Sequence, residues 1–561
     1  MTALNRSASL EALANETFDL VIIGGGITGA CLAFDASTRG LKTALVERRD
    51  FGHATSSASS KLLHGGIRFL QQFRVDKVRE SAFERVYFQN LVPHLCRYVP
   101  FVIPTFAGLK EGRAFLGAGA LAYSMIAAGQ NRRAKFAHTR VPLPRLVGRA
   151  ALDEMVPWLD DDWPATGGLV LPECHMQSSE RVTLALVQAA AEHGCTVCNY
   201  AEVSTIDEDG GRVTGVTVST GETPPFAVRS AAVANCGGPW LSRINGLTGG
   251  DESGPITSFF RGSHLVLRNW DLSCALALPT AQKIKGVAGR GGRHVFLIPW
   301  RGHVMLGTSY ASHSDDLDDV RATREDTEQL LDAVNSALDG RSVSEDDIVH
   351  AWSGLYPLTA AEVKSDVYQG ASDYLLTDVG QRGGPQNYFT LFGAKYTTAR
   401  KLAELGCNLI VKRLGKAAGP CLTRAATVAV ADVDDPTAYC ARVAEQHAGT
   451  FDRATVDHLF QHYGTALEKV LAVAGELANP LERLSAERPN LAAEAVHCAR
   501  DEMIAHLDDF VFRRTGMGTI GNPGAAALSR CAALIGGELN WSAPRIQAEV
   551  AATLARFERP L

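Results

Sequence analysis

Residues 18–47 read FDLVIIGGGITGACLAFDASTRGLKTALVE, and this stretch decides the fold. Phe18 to Ile23 is short, apolar and β-branched, the pattern of a buried strand. Gly24-Gly25-Gly26-Ile27-Thr28-Gly29 follows. A helix carrying Ala30, Leu32, Ala33 and Ala36 then runs to Gly40, a good residue just past a helix end. A second strand, Thr43 to Val46, ends at Glu47. The order is strand, glycine turn, helix, strand, acid, which is the dinucleotide-binding βαβ unit. Gly24 permits the tight turn, Gly26 leaves room for a diphosphate, and Gly29 lets the helix lie close to the sheet. The helix start offers free amides and its positive dipole end to phosphates. Glu47 lies 18 residues after Gly29, about where a carboxylate must be to accept a bond from a ribose hydroxyl.

That fingerprint does not by itself separate a flavin from a nicotinamide dinucleotide. Residues 50–69, DFGHATSSASSKLLHGGIRF, favour the flavin. Thr55, Ser56, Ser57, Ser59 and Ser60 precede Lys61, His64, Gly65 and Gly66. The hydroxyls supply donors for a phosphate, and the two glycines would let the backbone approach a flat ring.

Downstream, strand-like and helix-like stretches alternate. A helix is expected from Glu180 to Ala191, then strands near Thr196 and Val203 and a hairpin turning at Asp209-Gly210-Gly211 into Val213–Val218. Ala231–Asn235 is a short apolar strand. Residues 255–310 suggest a separate antiparallel sheet, and a helix is expected from Gly393 to about Leu414. Beyond Asp435 the pattern is helical: Val456, Leu459, Phe460 and Tyr463 make one apolar stripe, and Val496, Ala499, Met503 and Leu507 repeat it. The expected fold is α/β, with a Rossmann-type domain over 17–100, 165–245 and 350–415. A substrate domain with an antiparallel sheet spans 101–164 and 246–349, and a helical C-terminal domain spans 425–561.

The chain has 561 residues, room for two to four domains of about 100–200 residues each. Its formal net charge of -6 gives no overall basic field for nucleic acid. The N-terminus lacks an apolar core of signal-peptide length, so a cytoplasmic location is expected. Phe115–Ala128, FLGAGALAYSMIAA, is the most lipid-like stretch and is too short to span a bilayer. It reads as a groove-lining helix first and a membrane-surface contact second. The twelve cysteines read as free thiols, and the Cys195/Cys198 pair as core packing, with no metal site expected.

Five blocks in order resemble the FAD-dependent glycerol-3-phosphate dehydrogenases within the D-amino-acid-oxidase-like flavoproteins. They are DLVIIGGGITGA; ATSSASSKLLHGGIRFL; GGPW; RGSHLVL with HVFLIPW and LGTSY; and FGAKYTTARKLAE. The block AVHCARDEMIAHLDDFVFRRTGMG resembles that family's helical cap, so the likeness covers about residues 17–560. The resemblance implies FAD, its ADP half held by Gly24, Gly25, Gly26, Ile27, Thr28, Gly29, Glu47 and Arg48. It implies Thr55, Ser56, Ser57, Ser60 and Lys61 along the diphosphate and flavin, with Leu62, His64, Gly65 and Gly66 near the ring. Val203 would meet adenine, with Gly237 and Trp240 nearby. Gly393, Lys395, Tyr396 and Thr397 would close over the pyrimidine end.

For chemistry, the resemblance implies a small-molecule secondary alcohol whose hydride passes to flavin N5. His64 and His264 are the candidate bases, Arg68 and His264 face the substrate, and Lys395 offsets charge on the reduced flavin. A quinone acceptor, peripheral contact with the inner face of the membrane, and a homodimer are compatible with it. Two positions depart from the family pattern. An Arg usual in SGxRPL is Tyr356 here, and an Asp usual in GTTD is Tyr310. Both tyrosines would shape the pocket and donate hydrogen bonds. The exchange removes a bidentate, permanently charged clamp. Arg68, Arg261, Arg290 or Arg293 would have to supply another cation. A flavin enzyme for a different polyol, hydroxy acid or amine is therefore the alternative, as is a flavin-binding protein without turnover.

Overall fold

A computed structural model describes residues 3–108, 112–159, 162–249, 258–268, 270–280, 294–313, 316–338, 342–358, 374–393 and 395–558. Arg290 and Arg293 lie outside them.

The opening stretch folds as a βαβ unit. Strand Leu20–Ile23 leads through the glycine turn into helix Ile27–Thr38 and back into strand Thr43–Val46. The two strands pair in parallel from Leu20 with Thr43 to Ile23 with Val46. Gly24 sits at φ +104, and a Cβ there would meet the Cys236 carbonyl oxygen at 2.7 Å, so the turn requires glycine. A Cβ on Gly29 would lie 1.9 Å from the Gly24 oxygen, which is why helix and strand can pack so closely.

Among the described residues the sheet built on this unit has six strands. Their order is Leu375–Asp378, Tyr388–Phe392, Val233–Asn235, Leu20–Ile23, Thr43–Val46 and Thr196–Cys198. All neighbours run parallel except the first pair, which is antiparallel. Both faces are covered, so the strands are apolar without alternation, as the sequence of Leu20–Ile23 suggested. The expected hairpin, Glu202–Asp209 with Arg212–Ser219, joins a separate four-stranded sheet.

The third sheet has ten strands among the described residues. It is mostly antiparallel, but Ala275–Pro279 runs parallel to Cys96–Phe106. The expected domain edges at 165 and 350 do not follow the hydrogen bonds. Ala165–Met176 pairs with Cys96–Phe106 along its length, and Ile348–Leu358 pairs with Ser258–Leu267. Both strands belong to this large sheet, because each continues a ladder begun by a strand from another part of the chain.

The C-terminal region is helical. Val456, Leu459, Phe460 and Tyr463 face inward on helix Arg453–Tyr463. The second stripe is broken: helix Ala492–Asp501 ends before Met503, which has φ 51, although Val496, Met503 and Leu507 are all buried. The interruption falls at Glu502, whose carboxylate is drawn to Arg181 Nη1 at 2.7 and 2.8 Å. One apolar core runs from Leu20 and Ile22 through Val182 and Leu186 to Leu459 and Leu528. The C-terminal helices are thus packed onto the βαβ unit. All twelve cysteines are free and eleven are buried. Burial pushes Cys198 up to about 11 against the pull of Arg6, as expected of a packed thiol.

Candidate active site

A cavity of about 1900 Å³ opens between the six-stranded and ten-stranded sheets. Pockets for one small ligand run to roughly 300–1,000 Å³, so this one has room for a dinucleotide and a substrate together.

One end of it is built from the βαβ turn. Gly24, Gly26, Ile27, Thr28, Glu47 and Arg48 line it, as do Thr55, Ser56 and Ser60, with Val203, Gly237 and Trp240 opposite. The Glu47 carboxylate accepts the Gly25 amide at 2.7 Å and the Arg49 amide at 2.8 Å. Burial pushes its pKa up, while those two amides pull it down. Ser56 Oγ accepts the Ile27 amide at 2.9 Å, tying the hydroxyl-rich loop to the first turn of the helix. A Cβ on Gly26 would lie 3.2 Å from that Oγ, so the glycine keeps open the space in front of the helix N-terminus. Arg48 stacks on Trp240 with its guanidinium carbon 4.2 Å from the ring centroid, and pairs with Asp318. A helix N-terminus, a carboxylate and a flat cation–aromatic wall are features that an ADP moiety needs.

At the other end, Leu62, His64, Gly66, Arg68, Gly393, Lys395, Tyr396 and Thr397 share the wall with Thr308, Tyr310 and Tyr356. The His64 amide donates to Thr397 Oγ1 at 3.1 Å, which joins the two segments. The His64 side chain projects into the enclosure. Enclosure lowers its pKa, Glu173 opposes this, and Arg68 and Lys395 add to it, so the imidazole is neutral near pH 7. Lys395 Nζ lies 3.7 Å from the Phe69 ring centroid. Tyr356 lies across Gly262, where a Cβ would come within 2.9 Å of its ring.

Several expected site residues are elsewhere. His264 is 1% exposed and off the cavity wall. It stacks on Trp352 at 5.7 Å, and burial holds its pKa down to about 3. Lys61 is also 1% exposed. Its Nζ binds Glu180 at 2.7 Å and the Ser57 carbonyl at 3.0 Å, between the rings of Trp300 and Trp352. Ser57 is spent on its own turn, donating to the Ala54 carbonyl at 2.8 Å. Gly25 and Gly29 shape the turn without lining the cavity. Gly65 lies behind the wall, whereas Gly66 is on it and needs to be glycine for the packing at its back. A Cβ on Gly65 would meet Tyr123 Oη at 2.2 Å, and one on Gly66 would meet Ser81 Cβ at 2.7 Å. Of the substitute cations, Arg68 lines the cavity, whereas Arg261 is committed to Asp326 at 2.8 Å.

Two wall residues were not picked out from the sequence. Glu173 accepts the Gly65 amide at 2.9 Å, and His294 is a second imidazole whose pKa is lowered by burial and then by Arg68. Both sit in strands that read as apolar runs. Only the HVFLIPW block marked His294.

The site and its sheets define a flavoprotein oxidoreductase. The chain belongs to the FAD-dependent oxidoreductase family, whose model matches residues 19–399, so FAD is its cofactor. Residues 421–546 match the C-terminal domain of alpha-glycerophosphate oxidase. Nearly its whole length is similar to glycerol-3-phosphate dehydrogenase 2 of Mycobacterium tuberculosis, at 31% identity over 99% of this chain and 90% of that one. It is 28% identical to the aerobic glycerol-3-phosphate dehydrogenase of Staphylococcus aureus, over 92% of this chain and 90% of the other. In fold it resembles the glycerol-3-phosphate dehydrogenase from Bacillus halodurans complexed with FAD. The TM-score is 0.77 at 23% identity, covering 99% and 98% of the two chains.

Proposed function

We propose that this protein oxidises the secondary alcohol of a small anionic polyol, with glycerol 3-phosphate as the first candidate. The observation that carries the reading is that Arg68 and Lys395 both lie within electrostatic reach of His64, all three on the wall shared with the glycine turn. FAD, when bound, takes up the hydride equivalent released from the alcohol carbon. His64, neutral and enclosed, accepts the hydroxyl proton, and Glu173 stabilises the imidazolium that results. Arg68 draws the substrate anion into the pocket. Lys395 offsets negative charge that develops beside it. Tyr310 and Tyr356 bound the pocket and supply hydroxyl donors, a weaker hold on phosphate than a guanidinium. The test is anaerobic bleaching of the yellow holoprotein by glycerol 3-phosphate and a panel of unphosphorylated polyols, hydroxy acids and amines. Bleaching by glycerol 3-phosphate at the lowest concentration supports the proposal. Preference for another member of the panel replaces the substrate, and no bleaching by any of them points to a protein without turnover.

The acceptor side has its own support. Helix Arg113–Ile126 lends Phe115, Leu116, Gly119 and Ala120 to the cavity wall, yet leaves Phe115, Leu121 and Met125 largely exposed. Phe73, also on the cavity wall, is 77% exposed. Arg79 caps the helix by donating to the Ile126 carbonyl at 3.0 Å. An apolar rim beside a cavity, with an arginine at the helix's end, suits an anionic membrane surface, and an apolar quinone entering from it. Among the described residues no helix is long and apolar enough to cross a membrane, so the contact proposed is peripheral, on the inner face. The protein should sediment with vesicles containing anionic lipid, less so as salt rises. The double variant Leu121→Asp/Met125→Asp should lose at least about tenfold in affinity while keeping its flavin. Equal sedimentation of both forms would remove this contact.

A further inference from the structure

The C-terminal domain grips the cofactor-facing loop chiefly at one carboxylate. Asp50 lies three residues after Glu47 and is fully buried. Arg513 Nε donates to its Oδ2 at 2.6 Å, Arg514 Nη1 to Oδ2 at 2.7 Å, and Arg514 Nη2 to Oδ1 at 2.9 Å. Asn199 Nδ2 adds a fourth bond at 3.2 Å and also donates to the Met503 carbonyl at 2.8 Å. Burial opposes a charge on Asp50, but Arg514 and Arg513 outweigh it and hold the carboxyl ionised. Both arginines come from a π-helical turn, Asp509–Arg514, closed by the Thr515 amide on the Phe510 carbonyl at 3.0 Å. The wide turn brings two consecutive side chains to one acceptor, the kind of local irregularity that recurs at functional sites. Behind them, Arg514 Nη2 also donates to the Glu502 carbonyl at 2.9 Å, and Arg181 holds the Glu502 carboxylate.

What distinguishes this cluster from an ordinary buried ion network is its neighbours. On one side of Asp50, Glu47 caps the Gly25 amide. On the other, the Gly52 amide donates to the Gly25 carbonyl at 3.0 Å, and Ser56 Oγ takes the Ile27 amide. Within six residues of Asp50 the loop therefore touches the phosphate-facing turn three times. The Tyr200 amide bonds the Arg49 carbonyl at 3.1 Å, and its hydroxyl reaches Asp509 at 2.6 Å, a second link between the same two parts.

We infer that Asp50, Arg513 and Arg514 are positioning residues for FAD: docking of the C-terminal domain sets loop 47–56 in its cofactor-binding shape, and bound FAD tightens that docking in return. The second half follows because coupling between two binding events is reciprocal. The inference rests on FAD occupying the glycine-turn end of the cavity.

The test uses the full-length protein. FAD affinity is measured by fluorescence for wild type, Asp50→Asn, Arg514→Gln and the double variant, at a temperature where circular dichroism shows all four folded. Amide hydrogen exchange of residues 47–56 and 502–517 is followed in wild type with and without added FAD. Each single variant is expected to raise the FAD Kd at least about tenfold, and the double variant to fall well short of the product of the two. FAD should slow exchange in residues 502–517 of the wild type. Variants that lose Tm but keep the FAD Kd within about twofold would overturn the inference, as would exchange in 502–517 indifferent to FAD. If a variant does not fold, the wild-type exchange result decides alone. Wild type that binds no FAD at all would instead sink the cofactor reading.

Discussion

Lys395→Met is expected to lower turnover by about 10²–10³-fold with flavin content close to wild type, the loss seen when one preorganised electrostatic group is removed from a transition state. Lys395 lies on the cavity wall in the segment that also contributes Thr397, which fixes the His64 backbone. Its ammonium is near enough to His64 to lower that imidazole's pKa. Two consequences separate an electrostatic role from a structural one. The reduction step, followed by stopped flow under anaerobic conditions, should slow by the same factor as turnover. The pH at which His64 becomes competent should move upward in the variant, because one of the cations that disfavour its protonated form is gone. The sign is fixed by the lowered folded-state pKa: the neutral base persists above it, and removing a nearby positive charge shifts the limb of the rate profile to higher pH. Equal losses of flavin and of turnover would assign Lys395 a packing role against Phe69.

Gly26→Val should give a folded, colourless protein, with FAD affinity down on the order of 10²–10³-fold because close backbone approach to the diphosphate is blocked. Gly26 has φ -74 and ψ -178, a conformation open to any residue, so the substitution does not strain the backbone. The new side chain instead fills the space ahead of the Ile27 amide, against Ser56 Oγ. Gly29→Val serves as the contrast. Its Cβ would collide with the Gly24 oxygen, so it should fail at the level of folding. Near-normal flavin content in purified Gly26→Val, measured by absorbance at the flavin maximum, would remove the diphosphate from the place assigned to it.

The parts of this molecule legible in its sequence are those whose meaning is local. Leu20 to Glu47 form one continuous βαβ unit, so the roles of Gly26, Gly29 and Glu47 depend on neighbours within 30 residues. The site residues misjudged are those whose direction is set by distant partners. His264 lies directly opposite Trp352 in a strand pair 88 residues apart in sequence, and that ring contact turns it into the interior. Lys61 reads as an anion-binding residue beside five hydroxyls, until Glu180, 119 positions away, claims it. Gly65 looked like room for a ring, whereas Tyr123 and Arg85 use that room from behind. Glu173 was invisible for the opposite reason. In an apolar strand with period-two geometry, only the sheet's pairing decides which side chains meet the cavity.

The strand order Tyr388–Phe392, Val233–Asn235, Leu20–Ile23 has a consequence for how the protein is made. The first strand leaves the ribosome early, with its phosphate-facing turn complete, yet waits for one neighbour until residue 235 and for the sheet's further wall until residue 392. At about 5–20 residues per second, that interval lasts on the order of tens of seconds. Through it the nascent chain carries an apolar sheet margin with nothing beside it, and the part of the cavity wall that Leu391, Phe392 and Gly393 supply is among the last of the sheet to form.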